Sequence, residues 1–135
     1  MYILGIWDGH DSGAAVIKGN RVLAAINEER LTRRKLEIRF PYQSVRECLR
    51  YLNLQPGDIK HIAVSTFDLS KTMARLFPST KEEYYLIRRR KKAPGVISTL
   101  KKRAKYKLTE LPANSITARL SGISLRRNLD ELGFA

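Results

Sequence analysis

The densest chemistry in the sequence is one short connection, Asp8-Gly9-His10-Asp11-Ser12-Gly13-Ala14-Ala15, which gathers two carboxylates, an imidazole, a hydroxyl and two glycines. An imidazole titrates near neutrality, so His10 is the natural proton acceptor of the set. Gly9 and Gly13 let backbone N–H groups approach an anion closely, Ser12 adds a donor, and Asp8 and Asp11 could orient water or hold a cation. The same residue types are also ordinary turn formers, and composition alone does not separate the two readings. A second polar segment, Glu28-Glu29-Arg30-Leu31-Thr32-Arg33-Arg34-Lys35, mixes two acids with four bases. Arginine forks and lysine point charges suit phosphate, so it could grip a nucleotide or a phosphorylated substrate; a solvated, mixed-charge strand end is the plainer alternative.

The elements that must position these groups follow from hydrophobic patterning. Tyr2 to Asp8 is apolar on both alternation faces and reads as a strand covered on both sides, with Tyr2 and Trp7 in the core. Ala14 to Lys18 and Arg21 to Asn27 are two further strands, and Gly19-Asn20 between them suits a two-residue hairpin turn. Pairing these strands brings the Glu28 to Lys35 segment to the end of the sheet that carries the His10 loop. Val45, Cys48, Leu49 and Leu52 form the stripe of an amphipathic helix over Gln43 to Leu52, which Gln55-Pro56-Gly57-Asp58 breaks. Ile59 to Phe67 reads as a fourth strand returning to the sheet after that crossover. The order is β-β-β-α-β in an α/β fold.

Beyond residue 67 the spacing predicts helices over Lys81 to Lys92 and Val96 to Tyr106. A short last helix follows, with Ser124 as N-cap, Leu125, Leu129 and Leu132 as its stripe, and Gly133 at its C-terminal cap. The organisation is therefore a β-β-β-α-β part over 1–67 and a basic helical segment over 68–135 that continues the same domain. A capped helix with no next strand suggests a fragment of a longer protein.

The 135 residues leave room for one domain, and 43% hydrophobic with 29% charged side chains is ordinary for a globular chain. The charge is not ordinary, at +13 with 26 Lys plus Arg. Residues 1–67 carry 10 bases and 7 acids, residues 68–135 carry 16 and 6, and no acid lies between Arg88 and Lys107. Such a run is either solvated helix faces or a surface for a polyanion. The single cysteine, Cys48, excludes an internal disulfide framework, and its place on the helix stripe makes it a buried, inert thiol. His61 has no metal-ligand neighbour. With no apolar run of ~20 residues and no signal-peptide start, the chain reads as cytoplasmic, without a membrane partner. Walker A, dinucleotide-fingerprint, zinc-pair and serine-elbow patterns do not occur.

In order along the chain, Ile3-Leu4-Gly5-Ile6, His10-Asp11-Ser12-Gly13-Ala14-Ala15, Asn27-Glu28-Glu29-Arg30-Leu31-Thr32-Arg33 with Lys35, and Phe40-Pro41 followed by Glu47-Cys48-Leu49 resemble the start of O-carbamoyltransferases of the NodU and antibiotic carbamoyltransferase family. The resemblance covers residues 2–66. It implies a domain of the actin-like ATPase superfamily, ribonuclease H-like and related to Kae1, whose loop between the first two strands touches nucleotide phosphates. It further implies that carbamoyl phosphate and ATP yield a carbamoyl adenylate in a separate YrdC-like domain. The carbamoyl group then passes to a hydroxyl of a sugar or other natural-product acceptor. By the same resemblance His10 is the general base, and Asp8, Gly9, Asp11, Ser12 and Gly13 border the nucleotide. Glu28, Arg30 and Lys35 help shape the pocket. The family's divalent metal ion would be held by a His-rich motif that this chain lacks, so no metal ligands are expected within it and the fragment is expected to be inactive alone.

Two other readings stand beside this one. A small nucleic-acid-binding module would use Arg88 to Lys107, with binding that weakens steeply in salt, although no known nucleic-acid motif is present. A fragment of another actin-like ATPase or sugar kinase would share the fold. Whichever holds, an incomplete sheet has an open edge through which copies of the chain could associate.

Overall fold

The computed structural model describes residues 1–64, 72, 75–90, 93, 95 and 115–134. They belong to two compact units, one of Met1–Ser65 with Arg127–Ala135 and one of Thr66–Arg126.

The first unit is built on three consecutive antiparallel strands, β1 (Tyr2–Trp7), β2 (Gly13–Lys18) and β3 (Arg21–Asn27). Leu4 pairs with Val16 and Ile6 with Ala14, while Gly5, Ala15 and Ala25 form one row of small side chains across the three strands. Gly19 turns β2 into β3 at φ +62, a left-handed conformation that costs glycine little. Leu23 is the extra residue of a bulge, because the register moves from Val16↔Ala24 to Ile17↔Val22. A ten-residue helix, α2 (Tyr42–Tyr51), then crosses over to β4 (Ile59–Val64), which lies parallel to β1 and gives the sheet order β3-β2-β1-β4. The β-β-β-α-β order of the sequence reading is thus present, with one addition. Glu28–Thr32 is a short helix, α1, and not a strand end. Its left-handed C-cap, Arg33 at φ 56, stops it after five residues.

The helical stripe works as its spacing demands. Val45, Cys48 and Leu49 are buried and, with Leu4, Ile6, Ala14, Val16, Ile38 and Phe40, form the core between α2 and the sheet. Each of the Val, Leu, Ile and Phe side chains among them contributes roughly 1.5–3 kcal/mol of apolar burial. Burial raises the pKa of the Cys48 thiol, with the neighbouring Glu47 carboxylate adding to it, which matches an inert role.

The expectation that β1 is covered on both sides is corrected. Leu4 and Ile6 point into the core, but on the other face Ile3 and Gly5 are half-buried and Trp7 is 42% exposed. Tyr2 is half-buried too, with the Lys18 ammonium 4.9 Å from its ring centre. Continuous apolar runs therefore overstated how much of this strand is enclosed. The described part of β4 ends at Val64, and residues 65–67 of the expected fourth strand lie outside the described residues.

In the second unit, α3 spans Pro78–Arg88, with proline in its first turn where no N–H partner is needed. It begins three residues before the expected Lys81, and Arg90, at φ 55, has already left the helix. Lys91, Lys92 and the predicted helix over Val96 to Tyr106 lie outside the described residues. The last helix, α4, spans Ser115–Asp130, so Ser124 sits mid-helix and is not an N-cap. The face that Thr117, Ser121 and Leu125 bury is mostly small and polar, which is why an apolar stripe did not reveal its first half. Thr72 Oγ1 donates to the Thr117 carbonyl at 3.2 Å, and the Arg75 guanidinium donates to the Ser121 hydroxyl. Ser124 Oγ donates to the Arg75 carbonyl at 3.5 Å. From Arg127 onward the chain belongs to the first unit, where Gly133, at φ +84, ends the final turn as expected, with the Phe134 N–H bonded to the Leu129 carbonyl at 3.1 Å.

Candidate functional site

The connection between β1 and β2 needs a sharp reversal, and Asp11 makes it at φ 55. Aspartate is among the few non-glycine types that adopt this region readily. The Trp7 indole N–H donates to the His10 carbonyl and closes the turn. His10 Nδ1 lies 3.2 Å from Asp11 Oδ2, with both side chains partly exposed. A carboxylate at Nδ1 fixes the orientation of the imidazole ring. Asp8, by contrast, is 1% exposed and belongs to the base of the loop. Gly9 is half-buried beside it.

Ser12 is fully buried and held from both sides. Its N–H donates to the Glu37 carbonyl at 2.9 Å, and its carbonyl accepts the Glu28 N–H at 2.7 Å. The Ser12 N–H is therefore committed within the protein, whereas its hydroxyl, also buried, has no hydrogen-bond partner among the described residues. Gly13 is needed for close approach: a Cβ there would lie 2.7 Å from the Ile26 carbonyl oxygen. The loop opens beside a shallow hollow of about 510 Å³ on the sheet face that carries Gly5 and Ala15, with Trp7, Asp11, Gly13 and Asn27 at its rim.

Glu28, expected to shape the pocket, is 3% exposed and turned to another task. Its carboxylate accepts the backbone N–H groups of Gln43 at 3.0 Å and Ser44 at 2.7 Å, and the Ser44 hydroxyl at 2.7 Å. It caps the start of α2, where the helix dipole favours negative charge. Lys35 is exposed and pairs with Glu29 at 3.1 Å. The Leu36 N–H bonds the other Glu29 oxygen at 2.8 Å. That backbone donor first, and Lys35 second, hold the Glu29 carboxyl below its usual range. Arg30 is exposed on α1.

The structure also brings forward a residue that the sequence reading passed over. Glu37 is fully buried, with Oε2 3.2 Å from Arg34 Nε and Oε1 3.6 Å from Arg39 Nε. Its Oε1 also accepts the Ile38 N–H at 3.1 Å. The available signal was a lone acid among Arg33, Arg34, Lys35 and Arg39, which is the pattern of a charge that needs enclosing cations. Among the described residues no three His, Cys, Asp or Glu side chains gather as a metal site, and no helix is long and apolar enough to cross a membrane.

The sequence matches the carbamoyltransferase N-terminus family over residues 2–114. The chain belongs to that family. Curated relatives match over shorter stretches. The nodulation protein NolNO of Sinorhizobium fredii is 41% identical over 54 residues, 40% of this chain and 8% of that protein. The uncharacterized protein MJ1051 of Methanocaldococcus jannaschii is 40% identical over 62 residues, 46% of this chain and 12% of its own length. The uncharacterized protein sll1178 of Synechocystis is 38% identical over 53 residues, 39% of this chain and 9% of its own length. These matched stretches thus span about a tenth of the curated relatives, while the family match reaches from β1 past α3 and so includes most of the basic region.

Proposed function

We propose that this chain is the N-terminal part of an O-carbamoyltransferase with an actin-like domain, in which His10 activates the acceptor. Carbamoyl phosphate and ATP are its substrates, and a separate YrdC-like domain converts them into carbamoyl adenylate with release of phosphate and pyrophosphate. The acceptor is a hydroxyl on a sugar or other natural product. The observation that carries this reading is the family match over residues 2–114, and the contact of His10 with Asp11 supports the role of the base.

In that reaction the acceptor oxygen attacks the carbamoyl carbon as His10 Nε2 takes its proton. A new C–O ester bond forms, the bond from the carbamoyl carbon to the adenylate oxygen breaks, and AMP leaves with the electron pair. Asp11, on Nδ1, orients the ring and stabilises the imidazolium that results. Asp8, Gly9, Ser12 and Gly13 shape the loop that borders the adenylate, and Arg30 and Lys35 stand near the same end of the sheet as cations for its phosphate. Glu28 acts behind them through α2.

The full-length enzyme should form one carbamate ester for each AMP released, and only when ATP, carbamoyl phosphate and the hydroxyl acceptor are all present. Ester formation without ATP would remove the adenylate from the account.

A further inference from the structure

The loop that carries His10 is held by a pair of buried acids. Glu28 and Glu37 each place one main-chain group on Ser12: the Glu28 N–H on its carbonyl at 2.7 Å, and the Glu37 carbonyl on its N–H at 2.9 Å. Glu28 then commits its carboxylate to a neighbouring element, whereas Glu37 commits its carboxylate within its own segment. Glu28 is fixed by three donors at the start of α2. Glu37 is fixed by the Ile38 N–H and by ion pairs to Arg34 and Arg39. A buried carboxylate is costly unless it is engaged, so the three donors on Glu28 lock α1 to the start of α2. Glu37 is held by its ion pairs and the Ile38 N–H, its Oε2 paired with Arg34 but accepting no hydrogen bond among the described residues.

Two further features show that the arrangement has little slack. Gly13, next to Ser12, already lies against Ile26 and has no room for a Cβ. The segment that delivers Glu37 crosses two non-glycine residues in the left-handed region, Arg33 at φ 56 and Leu36 at φ 62. Strain of that kind persists only where the surroundings over-determine it.

We propose that Glu28 and Glu37 are positioning residues that clamp Ser12 from opposite sides and thereby set the place of His10 in carbamoyl transfer. The clamp rests on the reading of His10 as the general base. It assigns Glu28 a role through the main chain rather than in the pocket, and it assigns Glu37 a role that family resemblance did not suggest. A change at the first turn of α2 reaches His10 through Glu28 and Ser12, and a change at Arg34 or Arg39 reaches it through Glu37.

The test uses the full-length enzyme with Glu28→Gln, Glu37→Gln and the double substitution. Hydrogen exchange across residues 8–13 should rise about tenfold or more in both single variants, including at the Ser12 N–H in Glu28→Gln, although that bond belongs to Glu37. Transfer kcat should fall about ten- to a hundredfold, with acceptor KM unchanged and adenylate formation intact. Because both residues act on Ser12, the double variant should lose no more than the weaker of the two singles. Should either glutamine variant fail to fold, Ser44→Ala removes a single donor from Glu28 and should raise exchange in the same segment by a smaller factor. Unchanged exchange in the loop overturns the clamp, as do losses that multiply and strike both half-reactions alike. The exchange result does not depend on chemistry, so a His10→Asn enzyme that still transferred would remove the base and leave the clamp standing.

Discussion

The two units of this chain bury polar groups by opposite means. In the unit of Met1–Ser65, the buried polar set is mostly acidic, Asp8, Glu28 and Glu37, and lies where the His10 loop meets α1 and the start of α2. In the unit of Thr66–Arg126, it is a cation with small hydroxyls, Arg75 with Thr72, Thr117 and Ser121. The first kind of burial fixes a backbone turn through several strong donors. The second lets a helix pack closely without demanding a specific site. Sequence charge alone would have placed the function in the second half of the chain, since residues 68–135 hold 16 of the bases. In the first half the net charge is small and individual charges are enclosed, and the proposed base His10 lies there.

That contrast is sharpest in its cores. Leu4→Ala, which empties a wholly buried position between α2 and the sheet, should cost about 2–5 kcal/mol in urea unfolding of the full-length protein. Leu125→Ala should cost less, because its buried neighbours on the same helix face are Thr117 and Ser121; an equal or larger loss there would break the comparison. Gly13→Ala should cost about 1–3 kcal/mol, since the new methyl meets the backbone of Ile26 and not a side chain that can swing away.

How far these differences could be read from sequence depends on which force made each element. The three-strand opening and α2 were legible because period-two and period-3.6 apolar patterns, with Gly19 at the turn, record burial directly. The turn of α1 was not legible: five residues with two acids and a base carry little apolar signal, and their helical form depends on the tertiary bonds of Glu28. The first half of α4 was hidden for the related reason that Thr117 and Ser121 bury hydroxyls. Trp7 misled in the other direction, since aromatic type suggested enclosure and the indole stands 42% exposed at the rim of the hollow. At the site, residue types announced His10 and Asp11, whereas Glu37 required the fold to bring Arg34 and Arg39 around it.

A smaller effect separates structure from chemistry within the first unit. The Tyr42 hydroxyl donates to Asn128 Oδ1 at 2.9 Å. Its pKa is pushed up to about 12, by burial first and by the nearby Glu131 carboxylate second. Ionisation is therefore harder in the folded protein, and the stabilisation it reflects is complete below pH 10 and lost as pH rises toward 12. Tyr42→Phe should be less stable than the parent by about 0.5–1.5 kcal/mol at pH 8, from the missing hydrogen bond. The gap should close as thermal melts are taken above pH 10, and a constant gap would contradict the assignment.

The smallest expected effect lies in the basic region. Replacing the exposed Arg89 and Arg90 with glutamine should change carbamoyl transfer by less than about twofold, as for most exposed surface charges. The same variant measures the rival reading. If the full-length protein binds duplex or single-stranded nucleic acid at low salt, removing these two cations should weaken binding and flatten its salt dependence. A large loss of transfer instead would tie the second half of the chain to the reaction.

The most direct test of the account separates the two half-reactions in the full-length enzyme carrying His10→Asn. Carbamoyl-phosphate-dependent exchange of pyrophosphate into ATP reports adenylate formation, and ester appearance on the hydroxyl acceptor reports transfer. The account predicts that exchange persists at close to the parent rate while transfer falls by about two to four orders of magnitude, the range expected for loss of a general base. Transfer that continues at the parent rate would contradict it.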